Sequence, residues 1–443
     1  MIITLLSNIN YSDFKMANYL IKDIINDNYL NEEVILKGWV YRIRGSNKRI
    51  FLLLRDPSNI IQCVIEKESD ASLYKLAKKI TIESSIEISG VVKKDERSPI
   101  GYELHIKKLK IIGLAEPFPI TKDQSIEYLL DKRHLWLRSR KMISIMKIRS
   151  TVLQSAREWF NKNDFIEVST PMIITAACEG GATLFNLNYF NHKAYLTQSS
   201  QLYLEALIYS LGRVYVIAPS FRAEKSRTVR HLTEFWHLEA EQPFCDNEQN
   251  MKYQEELIEY IIKSVREINK NELKILNRDK LPEIKKPFPR IKYDEAIETL
   301  QKKGVNIMWG DDLGTEEEKI LTLNNRLPIF IYNYPKKVKG FYHKPDDNNP
   351  EVVNCADLLA PEGHGEIIGG GQRIHDKELL IKRIKEENLD INEYEWYIDL
   401  RKYGRVPHSG FGLGVERVIK WICGLDHIRD AIPFPRTINR VYP

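Results

Sequence analysis

The sequence predicts an α+β protein in which a small β domain precedes a larger domain of helices and strands. Two observations support this order. Short β-rich runs separated by turn residues fill residues 34–112, and both helical and strand patterns occur in the rest of the 443-residue chain. A stretch with two prolines lies between the two regions and predicts a boundary there.

Composition sets the broad class of the protein. At 443 residues the chain is long enough for two or three domains. Its 43% hydrophobic and 29% charged residues are ordinary for a globular protein. A formal net charge of +5 over 66 basic and 61 acidic residues is too small to establish nucleic-acid binding by itself. It is compatible with a local basic patch that holds a polyanion.

Cysteine usage and hydropathy both indicate the cytoplasm. No apolar run approaches the roughly 18–20 residues of a membrane span. The first residues lack the basic start and cleavage pattern of a signal peptide. We therefore expect a cytoplasmic protein with no membrane partner. The scattered cysteines, which include no CxxC pair, predict reduced thiols and argue against a zinc site; they are Cys63, Cys178, Cys245, Cys355 and Cys423.

The small β domain is predicted over residues 31–113, after an N-terminal segment of residues 1–30. Three strands, a helix and two strands follow one another at residues 34–40, 49–55, 59–65, 70–79, 81–93 and 102–112. This is the element order of an OB-fold, whose open face binds single-stranded nucleic acid. Other small β domains share the same order.

A hinge is predicted over residues 114–135, because Pro117 and Pro119 block both a helix and a central strand. Beyond it, apolar residues recur at helical spacing, and a short strand at residues 165–168 ends close to Pro171. By itself this pattern favours an ordinary amphipathic helix packed on its own core. The apolar positions are Ile148, Val152, Ala156, Trp159 and Phe160.

A charged hairpin is the most informative feature of the chain. A strand ends at Phe221, a polar loop of alternating charge follows, and a return strand starts near Leu232. Beside an aromatic ring, such a hairpin suits a polyphosphate that carries a stackable base. A lone FRxE run is more often a surface hairpin. The side chains that the hairpin would bring together are Arg222, Arg230 and His231.

A glycine-rich run supplies the second motif. Residues 410–417 read GFGLGVER, and an apolar helical pattern follows. Alone, this run is also typical of a helix start with an ion pair. In this order, however, the hairpin and the glycine run resemble motifs 2 and 3 of the class II aminoacyl-tRNA synthetases, and the helix that leads to Pro171 resembles motif 1. The surrounding residues look most like the asparaginyl branch of that family.

The resemblance extends from around residue 30 to residue 443 and implies the architecture. The small domain would be an OB-fold that binds the anticodon. Residues 136–443 would be a catalytic domain built on an antiparallel sheet flanked by helices. Motif 1 would lie at residues 146–171, motif 2 at 217–241 and motif 3 at 409–424. Motif 1 would form the interface of a homodimer.

The resemblance also implies the reaction. ATP and Mg²⁺ would be the cofactors, and asparagine and tRNA(Asn) the substrates. The carboxylate of asparagine would attack the α-phosphorus of ATP, which releases pyrophosphate and gives an adenylate. Transfer to the tRNA would then release AMP. Because two anions meet in the first step, such a site needs fixed positive charge.

Two arginines match the catalytic positions of the family. Arg222 matches the motif 2 arginine that bridges the α-phosphate and the substrate carboxylate, which a planar guanidinium can do and a lysine cannot. Arg417 matches the motif 3 arginine on the other face of the nucleotide. Other residues expected at ATP include the γ-phosphate contact His231 and the adenine ring partner Phe235; the full set adds Glu224, Leu232, Glu366, Gly412 and Gly414.

Other residues match the family positions that bind the metal ion and those atoms of the amino acid that aspartate and asparagine share. Mg²⁺ prefers carboxylate oxygens, and Asp357 and Glu366 match the metal carboxylates of the family. Glu179 and Gln201 match residues that contact the α-ammonium of the amino acid. Arg373 matches the arginine that receives the side-chain oxygen.

Amino-acid choice is predicted to depend on a departure from the aspartyl pattern. Leu204 replaces the lysine that helps aspartyl enzymes hold the substrate carboxylate, and Glu205 follows it. We expect Glu205 to accept a hydrogen bond from the amide of asparagine and to repel aspartate. The alternative is that Glu205 is a solvated helix residue and that Glu239, or the shape of the pocket, discriminates.

Three residues of the small domain resemble an anticodon-binding set. Phe51 and Gln62 resemble the pair that stacks on the central anticodon base and hydrogen-bonds it, and Arg42 is expected to join them. The alternative for Phe51 is a core position.

Three other functions stay open at this point. One is an aspartyl-tRNA synthetase, including one that charges both aspartate and asparagine tRNAs. Another is a paralogue that makes free asparagine, against which the predicted anticodon domain argues. The third is a non-catalytic tRNA-binding or regulatory protein, which the retained motif residues disfavour.

Overall fold

The computed structural model describes residues 19–98, 100–176, 178, 183–225 and 228–443. The chain divides into two compact units, with the boundary between Ser125 and Ile126.

The first unit is a closed five-stranded barrel with strand order β1-β2-β3-β5-β4. Alternation along the strands buries one face, so that Leu52 and Leu54 point into the barrel while Phe51 and Leu53 lie partly exposed. The predicted OB-fold is confirmed. Its elements are α1 (Ile21–Ile24), β1 (Glu33–Gly45), β2 (Arg49–Arg55), β3 (Ile60–Glu66), α2 (Ala71–Ala77), β4 (Ser85–Lys94) and β5 (Tyr102–Gly113).

The second unit combines a large sheet with helices around it. Its helices, in the part of the chain that the structure describes, are α3 (Ile126–Asp131), α4 (Arg133–Trp136), α5 (Arg140–Lys162), α6 (Gln201–Leu211), α7 (Asn247–Ile268), α8 (Lys270–Ile275), α9 (Tyr293–Lys302), α10 (Thr315–Thr322), α11 (Lys377–Glu386), α12 (Glu395–Asp399) and α13 (Val415–Cys423).

The strands of this unit form two sheets. Those of the large sheet are β6 (Ile166–Glu167), β10 (Val214–Phe221), β11 (Glu234–Pro243), β12 (Arg290–Lys292), β13 (Ile329–Tyr332), β14 (Cys355–Ala360), β15 (Gly365–Gln372) and β16 (His408–Gly414). Those of the small sheet are β7 (Ile173–Ile174), β8 (Asn186–Tyr189) and β9 (His192–Leu196).

The large sheet has the order β12-β13-β14-β15-β16-β11-β10-β6. Its six central strands pair antiparallel, as predicted, but β12 pairs parallel with β13 and β6 pairs parallel with β10. The predicted antiparallel sheet is therefore confirmed in its centre and has one parallel pair at each edge. Each edge strand arrives through a connection long enough for a parallel crossover.

A buried ion pair ties the three predicted motifs together. Arg149 on α5 places its Nη1 2.6 Å from Oε1 of Glu416 on α13. The other oxygen of Glu416 accepts a hydrogen bond from the backbone N–H of Trp236 on β11, at 2.9 Å. Because Glu416 is only 1% exposed, both contacts form at a carboxylate that is shielded from solvent.

The end of motif 1 exposes apolar side chains. Met172 is 49% exposed and Ile173 is 45% exposed, directly after Pro171. The helix α5 that precedes them packs one face on α7, α8 and α13.

The cysteines are all buried and none forms a disulfide. Cys63 lies in the barrel, and the other four lie in the second unit. Burial raises the pKa of the Cys245 thiol to about 11 and that of Cys355 to about 12. Among the residues that the structure describes, no helix has the length and apolar character needed to cross a membrane.

Candidate active site

The hairpin of β10 and β11 builds one side of a cleft. The two strands pair from Val214 and Glu241 up to Phe221 and Glu234, so the polar loop leaves the sheet where the sequence predicted. The backbone N–H of Arg222 donates to the carbonyl oxygen of Thr233 at 3.0 Å, which extends the pairing by one step.

This cleft has the chemistry of a nucleotide site. It holds about 700 Å³ of space, including its open mouth, which is within the range of small-ligand sites. The Arg222 guanidinium lies 5.5 Å from the centre of the Phe235 ring. Every residue predicted for ATP in the sequence contributes to the lining: Arg222, Glu224, His231, Leu232, Phe235, Glu366, Gly412, Gly414 and Arg417.

The surroundings of His231 favour its neutral form. Burial, followed by the positive charge of Arg417, lowers the pKa of His231, although Glu224 acts in the opposite direction. Its Nδ1 contacts the hydroxyl of Thr228 at 2.5 Å. Its other ring nitrogen, Nε2, lies 3.9 Å from Oε2 of Glu224.

The glycine strand β16 lets other groups approach closely. A Cβ atom at Gly412 would lie 2.8 Å from Nε2 of His237, so a side chain at this position would force the His237 ring to shift. Arg417 follows on α13 and places Nη1 2.9 Å from Oε2 of Glu366.

The two predicted metal carboxylates face the same point. A Cβ atom on Gly369 would lie 3.3 Å from Oε1 of Glu366 and 3.4 Å from Oδ1 of Asp357. Burial raises the pKa of Asp357 to about 6, and the negative charge of Glu366 adds to that effect. Although burial opposes it, Arg417 lowers the pKa of Glu366 to about 2. Converging carboxylate oxygens of this kind fit a hard divalent cation.

Lys339 is a cation that the sequence reasoning missed. Its Nζ lies 2.5 Å from Oδ2 of Asp357 and 4.0 Å from the centre of the Tyr334 ring. Asp357 therefore already has one positive partner, and its Oδ1 faces Gly369.

A second cleft meets the first at shared residues. Both clefts are lined by Arg222, His237, Glu366 and Gly412. The second cleft is also lined by four of the residues predicted for the amino acid or the metal: Gln201, Glu239, Arg373 and Asp357.

Arg373 and Glu241 form a pair at this second cleft. The guanidinium places Nε at 3.0 Å and Nη2 at 2.5 Å from Oε1 of Glu241. The other oxygen, Oε2, is buried and has no hydrogen-bond partner among the described residues. Burial raises the pKa of Glu241 to about 8, against the effect of Arg373, and the charges of Glu205 and Glu239 contribute. Glu241 was included in the sequence analysis only as the last residue of motif 2 and was given no role; its position two residues after Glu239 was its sole signal.

Glu205 lies behind the cleft wall, which differs from its predicted contact with the substrate amide. It is 0% exposed, so the alternative of a solvated helix residue is wrong as well. Oε2 of Glu205 accepts hydrogen bonds from Tyr397 at 2.7 Å, Arg401 at 2.6 Å and His408 at 2.9 Å. Although burial opposes it, Arg401 holds the pKa of Glu205 far below its usual range.

The remaining oxygen of Glu205 accepts from Gln201. The distance from Nε2 of Gln201 to Oε1 of Glu205 is 3.1 Å. Because a carboxylate only accepts, the NH₂ group of Gln201 must point to Glu205, and its carbonyl oxygen points away from it. Gln201 is the first residue of α6 and lines the cleft.

Glu239 has a supporting position in the same wall. Its carboxylate accepts hydrogen bonds from the Ser199 hydroxyl and, at 2.8 Å, from the backbone N–H of Ser200. These bonds fix the turn that leads into α6. Glu179, the other residue predicted to contact the α-ammonium, lies outside the described residues.

The predicted anticodon residues share the outer face of the barrel. Arg42 on β1 and Gln62 on β3 both pair with Leu53 on β2, so the side chains of Arg42, Leu53 and Gln62 point to the same face. Phe51 is partly exposed on that face and is not a core residue. The Arg44 guanidinium lies 5.3 Å from the centre of the Phe51 ring, a contact that the sequence analysis missed.

Comparisons with known proteins agree with this geometry. Residues 125–438 match the model of tRNA synthetases class II (D, K and N), and residues 34–112 match the model of the OB-fold nucleic acid binding domain. The asparagine–tRNA ligase of Thermococcus kodakarensis is 53% identical over 415 residues, which are 93% of this chain and 96% of that protein.

Solved structures give the same result. The crystal structure of asparaginyl-tRNA synthetase from Pyrococcus horikoshii complexed with asparaginyl-adenylate has a TM-score of 0.92 and 49% identity, covering 96% of this chain and 100% of that chain. The aspartyl tRNA synthetase from Entamoeba histolytica has a TM-score of 0.85 but only 27% identity, covering 99% of this chain and 95% of that chain. The chain therefore belongs to the class II tRNA synthetases of the D, K and N group and, within that group, to the asparagine–tRNA ligase family.

Proposed function

We propose that the protein ligates asparagine to tRNA(Asn) in two steps, through an asparaginyl-adenylate, with release of pyrophosphate and then AMP. One observation carries this proposal: Arg222 lines both the nucleotide cleft and the adjoining cleft that holds Arg373. A guanidinium at that junction can contact an α-phosphate and a carboxylate together, where negative charge accumulates during the attack. The 53% identity to an asparagine–tRNA ligase supports the choice of amino acid.

ATP would lie between the hairpin and β16. Phe235 offers a ring for adenine, Arg417 closes the opposite side, and neutral His231 contacts the distal phosphates. Asp357 and Glu366 would hold Mg²⁺ beside Gly369. The metal would neutralise charge on the β- and γ-phosphates.

Asparagine would place its side chain at the Arg373–Glu241 pair. The Arg373 guanidinium donates to the side-chain oxygen, and the buried Oε2 of Glu241 accepts from the amide NH₂ that aspartate lacks. Glu205 would act indirectly, since it turns the Gln201 oxygen away from itself and toward the α-ammonium.

The other partners follow from the same family membership. The outer face of the barrel, with Phe51, Gln62, Arg42 and Arg44, would bind the anticodon by stacking and hydrogen bonding. The apolar end of motif 1 would lie in a homodimer interface. We place the protein in the cytoplasm. We also propose a hinge within residues 114–135, between an anticodon-binding domain at 31–113 and a catalytic domain at 136–443; residues 126–135 of this stretch belong to the second compact unit.

Pyrophosphate exchange tests the proposal. Purified protein is given ATP, Mg²⁺ and either asparagine or aspartate, and exchange of labelled pyrophosphate into ATP is measured. We expect strong exchange with asparagine and little with aspartate. Charging of tRNA(Asn) but not tRNA(Asp) completes the test. Exchange that depends on aspartate would show that the substrate is aspartate and not asparagine. No exchange with either amino acid would contradict the proposed synthetase activity.

A further inference from the structure

One wall of the nucleotide cleft comes from residues 428–440, which lie outside the three motifs. Ile428 and Ile438 line the cleft together with Phe235. Ile428 belongs to the same apolar cluster as Leu232, against which Phe235 packs. The wall is therefore apolar on the side where Phe235 presents its ring.

Ile438 lies in a tight turn. The backbones of Thr437 and Arg440 exchange two N–H to carbonyl hydrogen bonds, each of 3.0 Å, so that Ile438 sits between them. The backbone N–H of Thr233 donates to the carbonyl of Arg436 at 2.9 Å, which joins the turn to the hairpin. The position of Ile438 is thus set by the backbone around it.

Helices α3 and α4 both contact residues 428–440 through arginine side chains. Arg440 reaches out to α3 and places Nη1 2.6 Å from Asp131 and Nη2 3.0 Å from Glu127. In the reverse direction, the fully buried Arg133 of α4 donates to the carbonyls of Ile432 and Pro433, both at 2.7 Å. Two arginines pointing in opposite directions therefore fasten the wall to the helices.

We propose that Arg440 is a positioning residue for ATP, which acts through α3 to hold Ile438 against the base. The inference rests on the proposed function, because it takes this cleft as the ATP site. Arg440 itself lines neither cleft, so its effect must pass through the turn. The Arg440 side chain is 15% exposed but Asp131 is 58% exposed, so this ion pair is shielded from solvent on the arginine side only.

Equilibrium binding of ATP is the first measurement. The variants are Arg440→Ala, Asp131→Asn, their combination, and Ile438→Ala, each titrated with Mg-ATP by calorimetry. Arg405→Ala is the matched control, because Arg405 forms a similar 2.6 Å surface pair with Asp376 and lines neither cleft. We expect each single variant to raise the Kd for ATP roughly twofold to fivefold, with the control unchanged.

The combination of Arg440→Ala with Asp131→Asn decides whether the two residues act together. If Arg440 works through Asp131, the double variant should be no worse than Arg440→Ala alone. If the increases in Kd of the two single variants multiply in the double variant, Arg440 does not act through Asp131. An unchanged Kd in folded Arg440→Ala and Ile438→Ala would overturn the proposal.

Pyrophosphate exchange separates positioning from general damage. We expect the KM for ATP to rise while the KM for asparagine stays within about twofold, because the second cleft shares no residue with the turn. Equal rises in both would mark Arg440 as merely structural. Failure of the proposed function would look different: the wild-type protein would show no exchange, whatever the calorimetry gave.

Discussion

Gln201 donates its amide N–H to Glu205 across 3.1 Å, and this contact sets which end of the Gln201 amide faces the amino-acid cleft. The carboxylate behind it is saturated, since three further donors converge on its other oxygen. A residue that lines neither cleft can therefore decide whether Gln201 offers an acceptor or a donor to an ammonium group.

We expect Glu205→Gln to raise the KM for asparagine while the KM for ATP changes little. A glutamine can present either end of its amide, so the orientation of Gln201 is no longer fixed. The loss of the buried charge should also lower the free energy of unfolding by about 3–5 kcal/mol. Tyr397→Phe is the control, because it removes one donor to Glu205 and leaves the Gln201 contact intact. An unchanged KM for asparagine in folded Glu205→Gln would contradict the orienting role.

The preference for asparagine over aspartate should increase with pH. The pKa of Glu241 is raised to about 8 by burial, so the group is mostly neutral below that pH and mostly charged above it. The charged form repels aspartate by as much as ~4 kcal/mol at ~4 Å and an effective dielectric near 20. The measurement is the ratio of kcat/KM for the two amino acids between about pH 6.5 and 9. Glu241→Gln should flatten the profile, and a flat wild-type profile would remove Glu241 from amino-acid choice.

Arg222→Lys and Arg417→Ala should each lower the rate of pyrophosphate exchange by roughly 10²–10³, which is typical for the loss of one fixed donor to a transition state. Both variants should stay folded, as checked by circular dichroism. Lys402→Ala, which alters a surface pair with Asp399, is the control. Near-normal exchange in either arginine variant would show that the residue does not stabilise the reacting phosphates.

Phe51→Ala should weaken tRNA charging and leave adenylate formation intact. Loss of one stacked base costs roughly 1–3 kcal/mol, which would appear in the KM for tRNA. Arg44→Ala and Gln62→Ala should behave in the same direction, and Lys110→Ala, exposed on β5, should not. Equal losses in pyrophosphate exchange would instead identify these residues as structural.

The wild-type protein should sediment as a dimer at micromolar concentration. Ile173→Lys places a charge among the exposed apolar side chains after Pro171 and should shift the species toward the monomer. Lys193→Ala, on the neighbouring strand β9, is the control. A wild-type monomer with full activity would rule out dimerisation as a requirement.

The sequence was sufficient for features that are local along the chain. The hairpin between Phe221 and Glu234, the apolar helix after the glycine run and the element order of the small domain all depend on spacing within short runs, and the structure confirms them. Distant pairings were not accessible. Arg401 lies 196 residues from Glu205, and Glu241 lies 132 residues from Arg373, so only the folded sheet brings each pair together.

The parallel edges of the large sheet show the same limit. Periodicity identifies a strand but not its neighbour, and β6 and β12 are only two and three residues long. Their direction follows from where the connecting helices end. The direction of these two edge strands therefore depends on tertiary packing and cannot be read from any single run of residues.

The buried cysteines give the molecule internal reporters of its own opening. A thiol reagent reacts with the thiolate, and burial both hides each sulfur and raises the pKa of thiols such as Cys355. Modification should therefore wait for local unfolding. Of the five cysteines, only Cys63 belongs to the barrel. The order in which mass spectrometry detects labelling of the five thiols would therefore show which unit unfolds locally first, without any engineered probe.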